Sequence, residues 1–285
     1  MQNVIRYALL LSFVLAGPAL AGGADPERLA SVLSAQPEEV RARYASRHPQ
    51  ETLEFFGIAP GMTVVEALPG SGWYTKILLP YLGPDGKLTG ADYSLDMYPL
   101  FGFFSEEQLK EKETWVQDFK TGAVEWAGED GAPADAFVFG SMPDGMKGQA
   151  DAVLFIRALH NLARFEGDGG FLTAALQDAH AALKPGGILG VVQHRAPDDW
   201  PDGSAGGAQG YLKQDWLIQR LEKAGFEFVD ASDVNLNEND QPAADDIVWR
   251  LPPTLYTSRE DPELRAELEA VGESSRMTLK FRKPE

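Results

Sequence analysis

The stretch between residues 64 and 74 reads Val64-Val65-Glu66-Ala67-Leu68-Pro69-Gly70-Ser71-Gly72-Trp73-Tyr74. Its apolar start predicts a buried strand over Met62–Glu66, its centre a tight turn, and its end a helix from Trp73 to about Leu82. Small residues in such a turn let a ligand approach the backbone, and the following helix offers free N–H groups and a positive dipole end. The pattern is typical of sites that bind nucleotide-like ligands, although a glycine turn after a strand also occurs as a purely structural feature.

A carboxylate follows the glycine turn at the end of the next predicted strand. Lys87–Asp92 reads as that strand, and Asp92 lies twenty residues beyond Gly72. A carboxylate in this place can accept two hydrogen bonds from ribose hydroxyls. Each feature alone is a weak signal, but together they favour an adenosine-containing ligand over a structural turn.

Strands and helices continue to alternate along the rest of the chain. Further strands are predicted over Ala136–Phe139, Ala152–Ile156, Ile188–Val192, Phe226–Val229 and Met277–Arg282, and helices over Ser105–Lys120, Asp168–Leu183 and Trp216–Ala224. Strands joined by helices require right-handed crossovers, which build a parallel sheet covered on both faces. The expected fold class is therefore α/β, with a doubly wound sheet.

Three segments fall outside this alternation. Residues 22–57 read as short helices that end at Gly57, an N-terminal helical extension to the main domain at residues 58–285. Residues 193–210 and 236–272 both follow late strands, whose loops overhang the carboxyl edge of the sheet. We predict that they are lid-like insertions, with ordinary variable surface loops as an equally weighted alternative.

Residues 1–21 have the pattern of a secretory signal peptide. Arg6 precedes an apolar run over Tyr7–Ala16, and Ala19-Leu20-Ala21 places small residues at a cleavage site. The run is too short to span a bilayer. We expect cleavage after Ala21, a periplasmic or secreted mature protein, and no integral membrane segment after cleavage.

Composition excludes several classes of protein. With 44% hydrophobic and 24% charged residues the chain is globular, and its formal net charge of -18 makes nucleic acid an unexpected partner. Cysteine is absent from the sequence. Disulfides, thiolate metal sites and cysteine nucleophiles are therefore excluded.

The chain resembles class I S-adenosylmethionine-dependent methyltransferases. The matching segments are Val64–Gly72, Gly90-Ala91-Asp92, Asp151–His160, Leu183-Lys184-Pro185-Gly186-Gly187 and Ala224-Gly225-Phe226. The resemblance implies a Rossmann-like doubly wound sheet of seven strands whose last strand is antiparallel, and Met277–Arg282 fits that last strand.

A second resemblance extends over nearly the whole mature chain. It is to a subgroup of secreted predicted methyltransferases. The segments that carry it are Arg47-His48-Pro49, Phe56-Gly57-Ile58, Gly72-Trp73-Tyr74-Thr75, His160-Asn161, His194-Arg195-Ala196, Leu251-Pro252-Pro253-Thr254 and Gly272-Glu273-Ser274-Ser275-Arg276-Met277.

The resemblance implies S-adenosylmethionine as the cofactor. The residues that it places around the cofactor are Glu66, Pro69, Gly70, Gly72, Trp73, Asp92, Tyr93, Ser141 and Met142. Two positions depart from the family pattern. Leu68 stands where the family usually has glycine, and Ser141-Met142 stands where an acidic residue often binds the adenine amino group.

Two histidines are predicted just beyond strand ends, where a base for the methyl acceptor belongs. Methyl transfer from a sulfonium is an in-line displacement, so the protein chiefly supplies alignment, and a base only if the acceptor carries a proton. Histidine titrates near neutrality, and arginine can hold an anionic acceptor. The catalytic candidates are His160 with Arg157 and Asn161 after strand four, and His194 with Arg195 after strand five. Helix capping or loop bracing is the structural alternative for each histidine.

These observations leave three functional hypotheses. The leading one is an exported S-adenosylmethionine-dependent methyltransferase acting on a small or amphipathic molecule. The alternative is a non-catalytic periplasmic ligand-binding protein on the same scaffold, and a nicotinamide-dependent oxidoreductase ranks last. A metal site at His160, His194, Asp198 and Asp199 has no supporting spacing in the sequence, so no metal is predicted.

Overall fold

The computed structural model describes residues 23–285, which form a seven-stranded sheet flanked by helices. The predicted signal peptide at residues 1–21 lies outside the described residues. The strands are β1 (Thr63–Ala67), β2 (Lys87–Asp92), β3 (Ala134–Val138), β4 (Ala150–Ile156), β5 (Leu183–His194), β6 (Glu227–Ser232) and β7 (Arg276–Arg282). Their order in the sheet is β3-β2-β1-β4-β5-β7-β6.

Helices connect these strands and precede the first of them. They are α1 (Pro26–Ser34), α2 (Glu38–Arg41), α3 (Tyr44–Arg47), α4 (Pro49–Phe56), α5 (Thr75–Leu82), α6 (Glu106–Lys112), α7 (Trp115–Ala127), α8 (Leu159–Arg164), α9 (Glu166–Gly169), α10 (Phe171–Ala182), α11 (Gln214–Lys223) and α12 (Pro262–Val271). Short 3-10 turns occur at Tyr98–Phe101, Asp144–Met146, Asp202–Ala205, Val248–Arg250 and Tyr256–Ser258. The predicted end of α4 is confirmed, because Gly57 caps it with a left-handed φ of 76°.

The direction of β7 determines which segments meet at the carboxyl edge of the sheet. β1 to β5 pair in parallel, whereas β7 runs antiparallel between β5 and β6. The last residue of β5, His194, is therefore paired with the first residue of β7, Arg276. The segment that leads into β7 lies beside the ends of β4 and β5, and the predicted antiparallel last strand is confirmed.

Alternating side chains on the strands supply one apolar core on each face of the sheet. On β4, Ala152 and Leu154 pack with α1, α4, α5 and α7, while Val153 and Phe155 pack with α8, α10 and α11. This alternation follows from the two-residue period of a strand. The doubly wound arrangement predicted from the sequence is confirmed.

Two predicted elements are corrected. The helix expected over Ser105–Lys120 is two helices, because α6 buries none of its residues while α7 turns Phe119 and Ala123 onto the sheet. Ser105 and Gln108 form a capping box at the start of α6. The strand predicted to begin at Ile188 begins at Leu183, because residues 184–187 form a bulge inside β5: Leu183 pairs with Ala150 and Ile188 with Ala152.

The two predicted insertions pack against each other over the carboxyl edge. Trp200 from the first insertion and Tyr211 just after it share a small apolar cluster with Val248 from the second. The Val248 N–H also donates to the carbonyl of Gln209 at 2.8 Å. Whether either insertion opens as a lid stays a prediction. Within residues 23–285 none of the helices has the length and apolar character needed to cross a bilayer.

Candidate active site

The glycine turn forms one wall of a cavity at the carboxyl edge of β1, β4 and β5. The cavity has a volume of about 400 Å³. Leu68 has a φ of 53° and donates its N–H to the carbonyl of Ala91 at 2.7 Å, while Gly70 has a φ of 58°. A left-handed φ costs a leucine about 1 kcal/mol or more, so the departure at Leu68 keeps the backbone shape that glycine would adopt freely.

Elements and loops from distant parts of the chain contribute to the wall of this cavity. Its lining residues are Arg43, Arg47, Leu68, Pro69, Gly70, Ser71, Trp73, Ile156, Arg157, His160, Asn161, His194, Val248, Trp249, Leu251, Pro252, Pro253, Thr254, Glu273 and Ser274. Seven predicted site residues are among them. They are Pro69, Gly70, Trp73, Arg157, His160, Asn161 and His194.

The other predicted cofactor residues do not line this cavity. Gly72 faces away from it, where a Cβ would lie 2.7 Å from the ring of Trp126. Glu66 is buried beneath the turn and accepts a 2.6 Å hydrogen bond from the Thr75 hydroxyl. Burial raises the pKa of Glu66 to about 7.

Asp92 is buried at the end of β2 and is engaged within the protein. Its Oδ2 accepts a 2.5 Å hydrogen bond from the Tyr98 hydroxyl, and its Oδ1 accepts from the Tyr93 N–H at 2.9 Å. Burial raises the pKa of Asp92, while these two donors act to lower it. The Tyr93 hydroxyl in turn accepts a 2.9 Å hydrogen bond from the side-chain amide of Asn161, which does line the cavity.

Three further predicted residues lie elsewhere. Met142 belongs to the apolar core on one face of the sheet, and Ser141 beside it is exposed. Arg195 is 3.4 Å from Asp198 and lines a neighbouring cavity, although the adjacent His194 lines the main one. The structure thus does not bring Arg195 together with the other catalytic candidates.

His160 and His194 lie side by side, with 5.4 Å between their ring centroids. The Nδ1 of His160 is 3.4 Å from the side-chain amide of Gln193, and the Nδ1 of His194 is 2.6 Å from the hydroxyl of Ser274. Burial lowers the pKa of His160 to about 4, and burial together with the neighbouring imidazole lowers the pKa of His194 well below its usual range. Both rings are therefore uncharged at neutral pH.

A cluster of four arginines surrounds the carboxylate of Glu273. The distances from its oxygens are 3.1 Å to Nε of Arg47, 3.0 Å to Arg276, 2.8 Å to Nε of Arg43 and 3.8 Å to Arg157. Burial alone would raise the pKa of Glu273, but the surrounding guanidiniums outweigh it and the net pKa is lowered. We refer to Arg43, Arg47, Arg157 and Arg276 as the arginine cluster.

Three buried polar atoms of cavity-lining residues have no hydrogen-bond partner among residues 23–285. They are Nε1 of Trp73, Nε of Arg157 and Oδ1 of Asn161. A buried polar atom left unpaired costs about 1–3 kcal/mol. All three atoms belong to residues that line the cavity, although the atoms themselves are buried.

Sequence reasoning missed the contribution of the N-terminal extension and of the segment before β7. Arg43, Arg47 and Glu273 were assigned no site role, yet they form one wall of the cavity. The available signal was the set of segments that carry the second resemblance, because parts of six of them line this cavity: Arg47, Trp73, His160 with Asn161, His194, Leu251–Thr254 and Glu273 with Ser274.

No group of three or more histidine, aspartate or glutamate side chains within residues 23–285 is placed to hold a metal ion. Asp198, a member of the metal site weighed in the sequence analysis, pairs instead with Arg195.

Comparison with solved structures identifies the fold. The chain is similar to a protein from Galdieria sulphuraria provisionally assigned as a sarcosine dimethylglycine methyltransferase, with a TM-score of 0.50, 11% identity, and coverage of 88% of this chain and 90% of that one. It is also similar to an arsenic(III) S-adenosylmethionine methyltransferase from Chlamydomonas reinhardtii (TM-score 0.47, 15% identity, 92% and 75% covered). A third similar structure is a SAM-dependent methyltransferase from Aquifex aeolicus (TM-score 0.45, 18% identity, 74% and 93% covered).

No protein-family model matches the chain, and no curated protein matches it by sequence. At such low identity the structural likeness concerns the fold alone. Together with the strand order and the antiparallel β7, it defines a class I methyltransferase fold and confirms that part of the resemblance.

Proposed function

We propose that this chain is an S-adenosylmethionine-dependent methyltransferase that acts on a small molecule. The observation that carries the proposal is the glycine turn of a class I methyltransferase fold opening onto a cavity of about 400 Å³ that also holds two uncharged histidines. Ligand pockets of roughly 300–1,000 Å³ suit small molecules. Export of the protein remains part of this proposal.

The residues present fit the cofactor at the glycine turn. Residues Leu68 to Ser71 line the cavity, as do Trp73 and Asn161, whose side chains carry an indole N–H donor and an amide oxygen acceptor. At the ribose end, the Tyr98 hydroxyl already occupies part of the Asp92 carboxylate, so a ribose diol would share that acceptor or displace the hydroxyl. When bound, the cofactor supplies an electrophilic methyl group on a sulfonium.

The two histidines supply a proton acceptor in this proposal. Methylation of a neutral nucleophile leaves an acidic proton on the product, so an imidazole with a low pKa is a sufficient base. Nδ1 of each ring is engaged, to Gln193 and Ser274, and Nε2 is the remaining nitrogen that can take the proton. The walls formed by Trp249 and Pro252 would exclude water from the reacting atoms.

A non-catalytic ligand-binding protein is the second candidate, and the engagement of Asp92 by Tyr98 favours it. Titration calorimetry of the purified chain with S-adenosylhomocysteine separates the two. We expect micromolar binding, about -8 kcal/mol, that weakens in the Asp92→Asn variant. Absence of binding at millimolar ligand would contradict the methyltransferase proposal. The non-catalytic ligand-binding protein would then be the remaining candidate.

Export is tested by expressing the full chain and measuring the mass of the protein in the periplasmic fraction. We expect a mature chain that begins at Gly22. A cytosolic protein with residues 1–21 still attached would contradict this part of the proposal.

A further inference from the structure

The arginine cluster carries more positive charge than its surroundings balance. Burial lowers the pKa of Arg47 and of Arg157 to about 10, so both guanidiniums stay charged at neutral pH. Within residues 23–285, Glu273 is the one carboxylate within 4.0 Å of the four guanidiniums. Four positive charges against one negative leave an excess of three, in a chain whose formal net charge is -18.

The arginine cluster also has more hydrogen-bond donors than Glu273 can accept. Four guanidiniums carry about twenty N–H donors, whereas one carboxylate offers about four lone pairs. Both oxygens of Glu273 already accept from Arg47 and at least one further arginine. Arg157 is 3.8 Å from Glu273, beyond hydrogen-bond distance, and its buried Nε has no partner among the described residues.

The positions of these side chains distinguish a binding role from a purely structural one. Arg276 is 3% exposed, does not line the cavity and donates to the carbonyl of Ser46, which ties β7 to α3. Arg43 and Arg157 instead keep about a quarter of their side-chain surface exposed and line the cavity. Glu273 balances only part of their positive charge, and an anion that enters the cavity would balance more of it.

The chemistry of the guanidinium identifies the class of group that fits. Its planar fork binds carboxylate or phosphate oxygens through paired hydrogen bonds. We propose that Arg43, Arg47 and Arg157 form a subsite for an anionic group, a carboxylate or a phosphate, on the ligand that enters this cavity. Two sources could supply the group: a methyl acceptor, or the amino-acid end of an adenosyl cofactor. Both of these sources assume the proposed methyltransferase function, whereas the existence of the anion subsite does not depend on that function.

The subsite is tested without any adenosyl ligand. Benzoate and inorganic phosphate are titrated into the purified chain at constant ionic strength, and binding is followed by calorimetry and by the thermal unfolding midpoint. We expect both probes to bind, and Arg43→Gln and Arg157→Gln to weaken that binding about tenfold or more.

Arg220→Gln is the matched control. Arg220 has a similarly exposed side chain (22%) and pairs with one carboxylate, Glu166, at 2.6 Å, but it lies outside the cavity. We expect it to leave anion binding unchanged. If Arg157→Gln does not fold, Arg157→Lys keeps the charge without the fork and should bind the probes less tightly than the unmodified chain. Equal anion binding in the unmodified chain, Arg43→Gln and Arg220→Gln would overturn the proposal.

A second titration identifies the source of the anion. It compares S-adenosylhomocysteine with 5′-methylthioadenosine, which lacks the amino-acid end. If the cofactor supplies the carboxylate, S-adenosylhomocysteine binds more tightly and Arg43→Gln removes the difference. If the acceptor supplies it, Arg43→Gln leaves that difference unchanged, and benzoate binds together with S-adenosylhomocysteine. If neither adenosyl ligand binds, the proposed function fails, while the benzoate titration still decides the subsite.

Discussion

The hydroxyl of Tyr98 donates a 2.5 Å hydrogen bond to Oδ2 of Asp92. Tyr98 is buried and packs against Tyr93, Phe101 and Phe104. This aromatic group holds the hydroxyl on the carboxylate that the sequence assigns to ribose. A ribose diol would therefore share this carboxylate with Tyr98 or displace the Tyr98 hydroxyl from it.

Removal of the competing hydroxyl should tighten adenosyl binding. Hydrogen bonds to charged groups contribute about 1.5–3 kcal/mol, so we expect Tyr98→Phe to lower the dissociation constant of S-adenosylhomocysteine about tenfold. Titration calorimetry measures the change. Tyr256→Phe, which removes a hydroxyl from a tyrosine that is 55% exposed, is the control and should have no effect. Weaker binding in Tyr98→Phe would mean that Tyr98 supports the ligand instead of competing with it.

Alanine usually gives a more stable protein than glycine at the same position. The left-handed backbone at Leu68 should reverse this order of stability. At φ 53° an L side chain is strained, whereas glycine is not. Leu68→Gly and Leu68→Ala both remove the leucine side chain, so their comparison isolates the backbone. We expect the glycine variant to have the higher free energy of unfolding by about 1 kcal/mol, measured with urea.

The control for this comparison is Leu95, which is 45% exposed and has no left-handed φ. There the alanine variant should be the more stable of the pair by about 0.5–1 kcal/mol. If the alanine variant were the more stable of the pair at both positions, the turn at Leu68 would relax when the leucine side chain is removed.

The fold followed from the sequence because its signals are local. Apolar runs bounded by glycine and proline located all seven strands, and Lys87–Asp92 has the predicted bounds, whereas β5 begins five residues before its predicted start at Ile188. The errors have a tertiary origin. α6 and α7 separate at Thr114 because only α7 packs on the sheet, and the bulge in β5 depends on pairing with β4.

The site was less predictable because much of it comes from distant parts of the chain. The position of His160 and His194 beyond adjacent strands could be read from the alternation of elements. The partnership of Arg47 with Glu273 spans 226 residues and depends on α3 packing beside the start of β7. The hydrogen bond from Tyr98 to Asp92 depends on how the loop after β2 folds, and the periodicity of apolar residues does not predict it.

The buried carboxyl of Glu66 should make stability depend on pH. Its pKa is about 7 in the folded chain, against 4.5 for an ordinary glutamate, so the folded state binds more protons between these values. The free energy of unfolding then falls as pH rises through this window, by about 3 kcal/mol in total from this group. Glu66→Gln cannot titrate and should lose that slope.

Urea unfolding at about pH 5 and pH 8 tests this expectation. Relative to the unmodified chain, Glu66→Gln should gain stability at the higher pH, and the exposed Glu51→Gln should show no such gain. If the two variants depend on pH alike, Glu66 ionises normally in the folded chain.

Glu273 should be essential to stability, since it is the counter-charge of the arginine cluster. Breaking a buried ion pair by removing one partner costs about 3–5 kcal/mol, so we expect Glu273→Gln to lose that much in urea unfolding. Glu227→Gln is the control, because Glu227 pairs with Arg282 at 2.7 Å with both side chains about half exposed. Surface pairs of this kind contribute roughly 0–1 kcal/mol.

Inorganic phosphate should partly restore the Glu273→Gln variant. The variant leaves four guanidiniums without a carboxylate, so an anion that binds the folded state stabilises it more than it stabilises the unmodified chain. We expect a larger rise of the unfolding midpoint with phosphate in Glu273→Gln than in Glu227→Gln, and refolding on phosphate addition if the variant is unfolded at the start. An equal rise in both variants would mean that phosphate acts as a general salt and that the cluster retains no preference for anions.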